Sequence, residues 1–322
     1  MDSLAFPPAG LAPESSSLSS SLPHDRTSPS RVRLIDLEPR VRLEQVLALS
    51  TTGAIIACDF AIQGAATWEA TPWGFVSGRV TNLDHHAAMP TMQRQVSSTN
   101  LALTRVQAHG VVPASSSIVI NHTDCDSVLS SAIVAGELEP WGEFGVAAIA
   151  ADHTGEANAI ADLLQALDAK RDLELSLRSL RALLAGEALE AVAQEALFTR
   201  LRKRELAAQM VASSTFVERD GVFYADLPKA IDGELVSALL PGARVVVLFS
   251  PHPTDSASRL VKMRLGLAAL EGISLHALDI QAFDPAYGGR WNAGSNKRGG
   301  GTRLSPDEYA RHLAQALEAL RV

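Results

Sequence analysis

Several things are scarce in this sequence, and each scarcity removes a class of protein. Two cysteines in 322 residues, Cys58 and Cys125, exclude a disulfide-stapled scaffold. Both lie beside aspartates, Cys58 before Asp59 and Cys125 between Asp124 and Asp126. They read as small apolar fillers in a reducing compartment, with thiolate ligation as the alternative. Aromatic residues make up only 5%, so an interior drawn from 47% hydrophobic residues is mainly aliphatic. No apolar run reaches the ~18 residues of a membrane span. The first residues lack the basic-then-apolar pattern of a secretory leader, so a cytoplasmic protein is expected. Positive charge is also short: a net charge of -8 argues against a long nucleic acid as partner. A small anion held by one local basic segment fits that balance. Nothing here sets the oligomeric state, with which a homodimer is compatible.

The length exceeds one typical core, and texture divides it. Residues 1–30 are rich in Ser and Pro and read as a disordered tail. Over residues 31–156 apolar strands alternate with helix-like stretches, which predicts a parallel sheet. Ser97-Ser98-Thr99 caps a helix ending at Gly110, and Asp126-Ser127 opens another through Leu129, Ile133 and Val134. Residues 157–213 form a helical connector: Ile160, Leu163, Leu164 and Leu167, then Leu173, Leu177, Leu180 and Leu184, recur at helical spacing, with Gly186 as a break. From residue 214 to 322 a hairpin around Asp220-Gly221, strands at Val245–Phe249 and Leu275–Ile280, and a closing helix from Pro306 predict a second, smaller α/β lobe. The fold class is α/β with two lobes, the active site in the cleft between them.

The chemistry gathers at strand ends. Asp59 closes Ala54–Cys58, Asp84-His85-His86 closes Val80–Leu83, and His122, Asp124 and Asp126 follow Ser117–Asn121. Asp152 closes the apolar run Val146–Ala151, also taken as a strand. Open α/β sheets bind ligands outside the carboxyl ends of their strands. One Asp at such a place is ordinarily a cap or turn former; four strand ends together point to a shared site. Buried charge of one sign needs compensation, and oxygen with imidazole donors suits divalent metals. Alternate residues of an extended segment share a face, so His122, Asp124 and Asp126 can converge. A pair of ions about 3.5–4 Å apart would need one bridging carboxylate, and would clamp the oxygens of a phosphoryl transfer.

A second segment combines glycines with positive charge and an aromatic: Gly288-Gly289-Arg290-Trp291-Asn292, then Lys297-Arg298 before Gly299-Gly300-Gly301. Glycines let backbone amides approach an anion, the cations add charge, and Trp291 offers a stacking face for a base. A plain surface loop is the competing reading. Arg259, Lys262 and Arg264 form a weaker basic set, as compatible with a solvated face as with a site. His153 reads as lining the site more than as a ligand.

Asp84-His85-His86 followed by Ser97-Ser98-Thr99 resembles the signature of the DHH phosphoesterase superfamily, which includes RecJ-type exonucleases, nano-RNases, cyclic-dinucleotide phosphodiesterases and family II pyrophosphatases. Asp59 is similar to its second motif, His122 to Ser127 to its first, and Asp152-His153-Thr154-Gly155 to its fourth. The first-motif segment follows the Asp-His-His here, so the resemblance implies a permuted order. It also implies a pair of Mn²⁺ ions, with Mg²⁺ or Co²⁺ as substitutes. Asp59 would bridge them, His122 and Asp124 would hold one, and His85, Asp126 and Asp152 the other. His86 would meet substrate phosphate, and Asp84 would orient the histidines. The segment from Gly288 loosely resembles the glycine-rich substrate loop of the companion DHHA1 domain, with Arg290-Trp291 where that loop carries histidine.

The expected activity is metal-dependent hydrolysis of a small phosphorylated substrate, a nucleotide or short oligonucleotide, by a metal-activated water. Two other functions fit the same residues: a sensor that binds metal and nucleotide without turnover, and a metal-assisted hydrolase of a non-phosphate bond.

Overall fold

The computed structural model describes residues 31–36, 41–86, 96–270 and 272–320. The Ser/Pro-rich tail lies outside the described residues. The first half runs β1 (Val32–Leu34), α1 (Leu43–Leu47), β2 (Ile55–Cys58), β3 (Glu69–Thr71), β4 (Gly74–Ser77), β5 (Val80–Leu83), α2 (Ser98–His109), β6 (Ser117–Ile120), α3 (Cys125–Ala135) and α4 (Gly142–Ile149). Its strands form one sheet in the order β1-β6-β2-β5-β4-β3. The pairs β1–β6, β6–β2 and β2–β5 are parallel, while β4 and β3 add an antiparallel edge. Sheets covered on both faces read as continuous apolar runs, and the central strands β2 (Ile-Ile-Ala-Cys) and β6 (Ser-Ile-Val-Ile) do so. Ile56, Cys58, Ile118 and Ile120 pack toward α2, α3 and α4. Ile55, Ala57 and Val119 pack the other way, with Val46 of α1 and Phe60, Ile62 and Phe75.

Three helices follow: α5 (Ala159–Leu167), α6 (Leu173–Ala185), capped by Gly186 in the left-handed conformation, and α7 (Ala191–Ser213). The second sheet contains β7 (Val217–Arg219), β8 (Val222–Asp226), β9 (Val245–Pro251), β10 (Arg259–Leu265), β11 (Gly288–Gly289) and β12 (Ala293–Ser295), in the order β11-β12-β10-β9-β8-β7. Only β8 and β9 run parallel among its pairs. One face packs on α8 (Pro306–Ala319) through Tyr309, Leu313 and Leu317. The other packs Ala225, Val246 and Leu248 near Met210 and Val211 of α7. The chain is thus a mixed α/β protein with two sheets. No helix among the described residues is long and apolar enough to cross a membrane.

Three sequence expectations are corrected. Val146–Ala151 is not a strand: it belongs to α4 and a single π-helical turn, Ala150–Thr154, that continues it. Ala147, Ala148, Ala150 and Ala151 are buried while Val146 is exposed, and a run rich in alanine, the best helix former, stays apolar in sequence whether it folds as helix or strand. Leu275–Ile280 is also not a strand but a pair of short 3₁₀ turns, with Asp279 left-handed between them. The glycine-rich loop, in turn, is an edge hairpin, β11–β12, zipped antiparallel onto β10.

The turn between β3 and β4 needs glycine. Gly74 has φ +130°, and a Cβ there would stand 2.2 Å from the Asn82 carbonyl oxygen. Gly74→Ala should therefore destabilise the chain by about 1–3 kcal/mol, read as a lowered urea midpoint. An unchanged midpoint would show that this edge can shift to make room.

Candidate metal centre

Three neighbouring strand ends, β6, β2 and β5, and the π-turn after α4 deliver the polar residues to one place. Asp59 sits just past β2 with φ +60°, a left-handed conformation uncommon outside glycine. Its amide donates to the Leu83 carbonyl, which fixes the turn, and its carboxylate is fully buried. Oδ1 lies 3.6 Å from His85 Nε2 and 3.7 Å from His86 Nδ1, while Oδ2 lies 3.1 Å from His122 Nε2. Asp59 therefore offers one oxygen to each side of the cluster, the arrangement a bridging ligand requires.

On one side, His122 Nε2 is 3.4 Å from Asp124 Oδ2. On the other, His85 Nε2 is 3.1 Å from Asp152 Oδ2 and 3.5 Å from Asp126 Oδ2. Asp59–His122–Asp124 and His85–Asp126–Asp152 each present donor atoms close enough to share an ion, as does Asp59–His85–His86. The structure thus brings together all six residues expected as ligands, although Asp152 arrives from a helix end and not from a strand. His85 Nε2 and Asp152 Oδ2 are buried and make no hydrogen bond among the described residues. Orphaned donors of this kind, in an oxygen and imidazole set, fit a divalent ion.

The electrostatics agree. Burial, then the Asp124 charge, pushes Asp59 up to about 6. Burial, then Asp59, pushes Asp126 up to about 8. Burial alone would lower His122, but the Asp124 and Asp59 carboxylates override it and hold the imidazole up at about 12. These carboxylates crowd one another beyond what the imidazoles offset, and a bound cation relieves such crowding.

Much of the geometry is held by residues one step away. Asp124 is the N-cap of α3, with Oδ1 accepting from the Ser127 amide at 3.0 Å. Asp126 lies in the first turn of α3, where negative charge is favoured, and reaches across to α2. Its two oxygens accept from the Ser98 amide (2.7 Å), the Thr99 amide (2.6 Å) and the Thr99 hydroxyl (2.5 Å). It thereby sits on the positive end of that helix. Ser98 Oγ donates to Asp59 Oδ1 at 2.9 Å and Ser127 Oγ to Oδ2 at 2.8 Å. The serines after the Asp-His-His thus orient ligands rather than merely opening a helix. His122 Nδ1 pairs with Asn121 Oδ1 at 2.5 Å, leaving Nε2 for the cluster. Sequence reasoning passed over Asn121; its only signal is that it immediately precedes His122. Asp84, fully buried, pairs with His86 Nδ1 at 2.7 Å.

The second sheet closes over this cluster through the hairpin. Arg290 contacts His86 Nε2 and lies 3.7 Å from Asp152 Oδ2. Asn292, buried, is 3.4 Å from His153 Nδ1. His153 lines the site: Nε2 bonds the Val96 carbonyl, and burial, then His85, pushes it down to about 3. Trp291 is 2% exposed and donates from Nε1 to the His85 carbonyl at 3.1 Å. Its indole packs into the second core, so it offers no open face to a base. Gly288 and Gly289 form β11 at the sheet edge.

Lys297 and Arg298 are exposed in a short turn after Asn296, whose side chain binds the Val261 amide. Among the described residues neither forms a hydrogen bond or ion pair with the cluster. The hairpin thus delivers Arg290, Trp291 and Asn292 and leaves Lys297 and Arg298 behind. Arg264, in the weaker basic set, is the cation that arrives in their place: its guanidinium donates to the Asp152 carbonyl. Arg259 and Lys262 instead meet Asp226 and the Ile231 carbonyl.

No family model matches the chain, and no curated protein matches it. Solved structures similar to the chain include the following two. One is a pGpG-specific phosphodiesterase, PggH from Vibrio cholerae, at 11% identity and TM-score 0.40, covering 67% of this chain and 88% of that one. The other is an exopolyphosphatase-related protein from Bacteroides fragilis, at 14% identity and TM-score 0.34, covering 83% and 72%.

Asp59→Asn should sharply reduce the bound divalent metal, because a neutral amide bridges two cations poorly. His86→Ala should retain it. Metal content by plasma emission after equilibrium with Mn²⁺ checks this, and equal loss in both variants would defeat the division. Asn121→Ala should weaken Mn²⁺ binding at the His122 side by about 10–100-fold, measured by titration calorimetry.

Proposed function

We propose that the protein is a metal-dependent phosphoesterase that hydrolyses a small phosphorylated substrate, with two divalent ions, Mn²⁺ foremost. The observation that carries this is Asp59, one oxygen turned to each ligand group, with two guanidinium groups facing the cluster from the second sheet. His122 and Asp124 would hold one ion, and His85, Asp126 and Asp152 the other. Ions bound there would supply Lewis-acid stabilisation of phosphoryl oxygens and a water of lowered pKa.

The remaining work falls to the chain. Arg290 and Arg264 face the side where phosphoryl charge would develop and would neutralise it, as guanidinium groups do well for phosphate. His86, held at Nδ1 by Asp84, presents Nε2 toward Arg290. It is placed to bind a phosphate oxygen and to hold or pass a proton at that nitrogen. The buried His85 and Asp152 leave access from the side of His86, His122 and Asp124, whose side chains retain 17%, 29% and 16% exposure. That opening favours a small substrate, and the net charge of -8 disfavours a long polyanion. A nucleotide or short oligonucleotide is the class we propose, read through its phosphate and not through stacking on Trp291.

A panel of phosphorylated metabolites assayed with Mn²⁺ tests the reading. Turnover that vanishes with chelator and returns with Mn²⁺ is expected. Two bound ions with no turnover of any phosphoester would favour the sensor. Arg290→Ala should lower kcat/KM at unchanged metal content. Trp291→Phe should affect a nucleotide and a base-free phosphoester alike, and a selective loss for the nucleotide would return base reading to the indole.

A further inference from the structure

The helices between the two sheets carry a polar cluster that belongs to neither core. Arg200 and Arg204, one turn apart on α7, converge on Asp162 of α5. Arg204 Nη2 lies 2.7 Å from Asp162 Oδ1 and Arg200 Nε 3.4 Å from the same oxygen. Arg200 Nη1 continues to Glu234 Oε1 at 3.0 Å, on the second-sheet side. Asp162 and Arg200 are buried, at 3% and 8% exposure. Such a triad contributes little net stability compared with well-packed apolar residues, so its other contacts bear on what it does.

Those contacts end at Gly155 and Glu156, just past Asp152. Arg204 Nη1 donates to the Gly155 carbonyl at 2.7 Å and Nη2 to the Glu156 carbonyl at 3.3 Å. Gly155 terminates the π-turn that carries Asp152, with φ +72°. A Cβ there would stand 1.9 Å from the Glu234 carbonyl oxygen, so the turn is pressed directly onto the second half. Arg264 holds the other flank at the Asp152 carbonyl. The opposite ligand group is fastened elsewhere on the same helices. Asp168, at the end of α5, accepts from the Thr123 amide at 3.0 Å, and Arg171 Nη1 donates to the Asn121 carbonyl at 3.2 Å.

We propose that the helical segment is a positioning frame with two separate fastenings, Arg204–Asp162–Arg200 for the Asp152 group and Asp168 for the His122–Asp124 group, so that each sets the metal affinity of one group alone. This rests on the metal-binding reading above and extends it from the ligands to residues that touch no ion. Arg204 and Asp168 are positioning residues, acting through Gly155 and Thr123.

Calorimetric titration with Mn²⁺ separates the two fastenings when one ligand group is disabled at a time. In an Asp124→Ala background, Arg204→Met should weaken the remaining site by about 10–100-fold, with Arg204→Lys recovering part of the loss. In an Asp152→Asn background, Arg204→Met should leave affinity unchanged, whereas Asp168→Ala, which removes the acceptor of the Thr123 amide, should lower it. Hydrogen exchange at residues 152–156 of the metal-free protein should speed up in Arg204→Met. Should that variant not fold, Glu234→Gln, which loosens Arg200 alone, should give a smaller loss confined to the Asp152 group. Equal losses in both backgrounds, or none in either while the unmodified chain binds two ions, would overturn the frame and leave the metal site standing. An unmodified chain that binds no ion would overturn both.

Discussion

Repulsion among buried carboxylates is the constraint to which the rest of the molecule answers. Asp59, Asp84, Asp124, Asp126 and Asp152 converge at one place, and all but Asp124 are buried, where water screens them little. Carboxylates this close cannot all remain charged without compensation, and burial first, then the neighbouring carboxylates, pushes Asp59 and Asp126 toward protonation. The chain meets part of the demand with two serine hydroxyls on Asp59, the α2 terminus under Asp126, imidazoles on three sides and Arg290 beside Asp152. The fold stores an electrostatic deficit at one point, and cation binding is the process that would discharge it.

That deficit also explains the division of labour between the halves. The first sheet supplies acceptors at adjacent strand ends, and the second supplies cations and a cover. Trp291 and Asn292 seal the covered side, with the indole spent on packing and on one hydrogen bond to the His85 backbone. The seal keeps the dielectric low around Asp152, where charge interactions gain strength. It also narrows the opening to the side of His122.

Much of this was legible in the sequence, and the boundary of legibility has physical causes. Asp59, Asp84-His85-His86 and the His122–Asp126 segment could be placed because strands buried on both faces announce themselves as β-branched and aliphatic runs ending in charge. Asp152 was brought to the right place by the wrong element, since an alanine-rich run looks alike as buried strand or buried helix. Arg264 was diluted among Arg259 and Lys262: alternation along β10 shows which residues share a face but not what lies beyond it. For Lys297 and Arg298, hairpin register, fixed by pairing with β10, decides which part of a glycine-rich stretch reaches inward, and spacing alone does not give that register. Asn121, Arg204 and Asp168 act on backbone carbonyls, amides or a neighbouring ring, contacts made across the fold that leave no spacing pattern behind.

The left-handed backbone at Asp59 carries one more consequence. Among residues other than glycine, asparagine and aspartate visit that conformation most readily. A single-step drift from Asp to Asn at this position would meet little conformational resistance and would spare the shape of the strand end. The fold would survive with its central charge gone. Selection for stability alone cannot guard this residue, so a descendant chain could keep the whole architecture as an inert scaffold and be indistinguishable from its ancestor by shape.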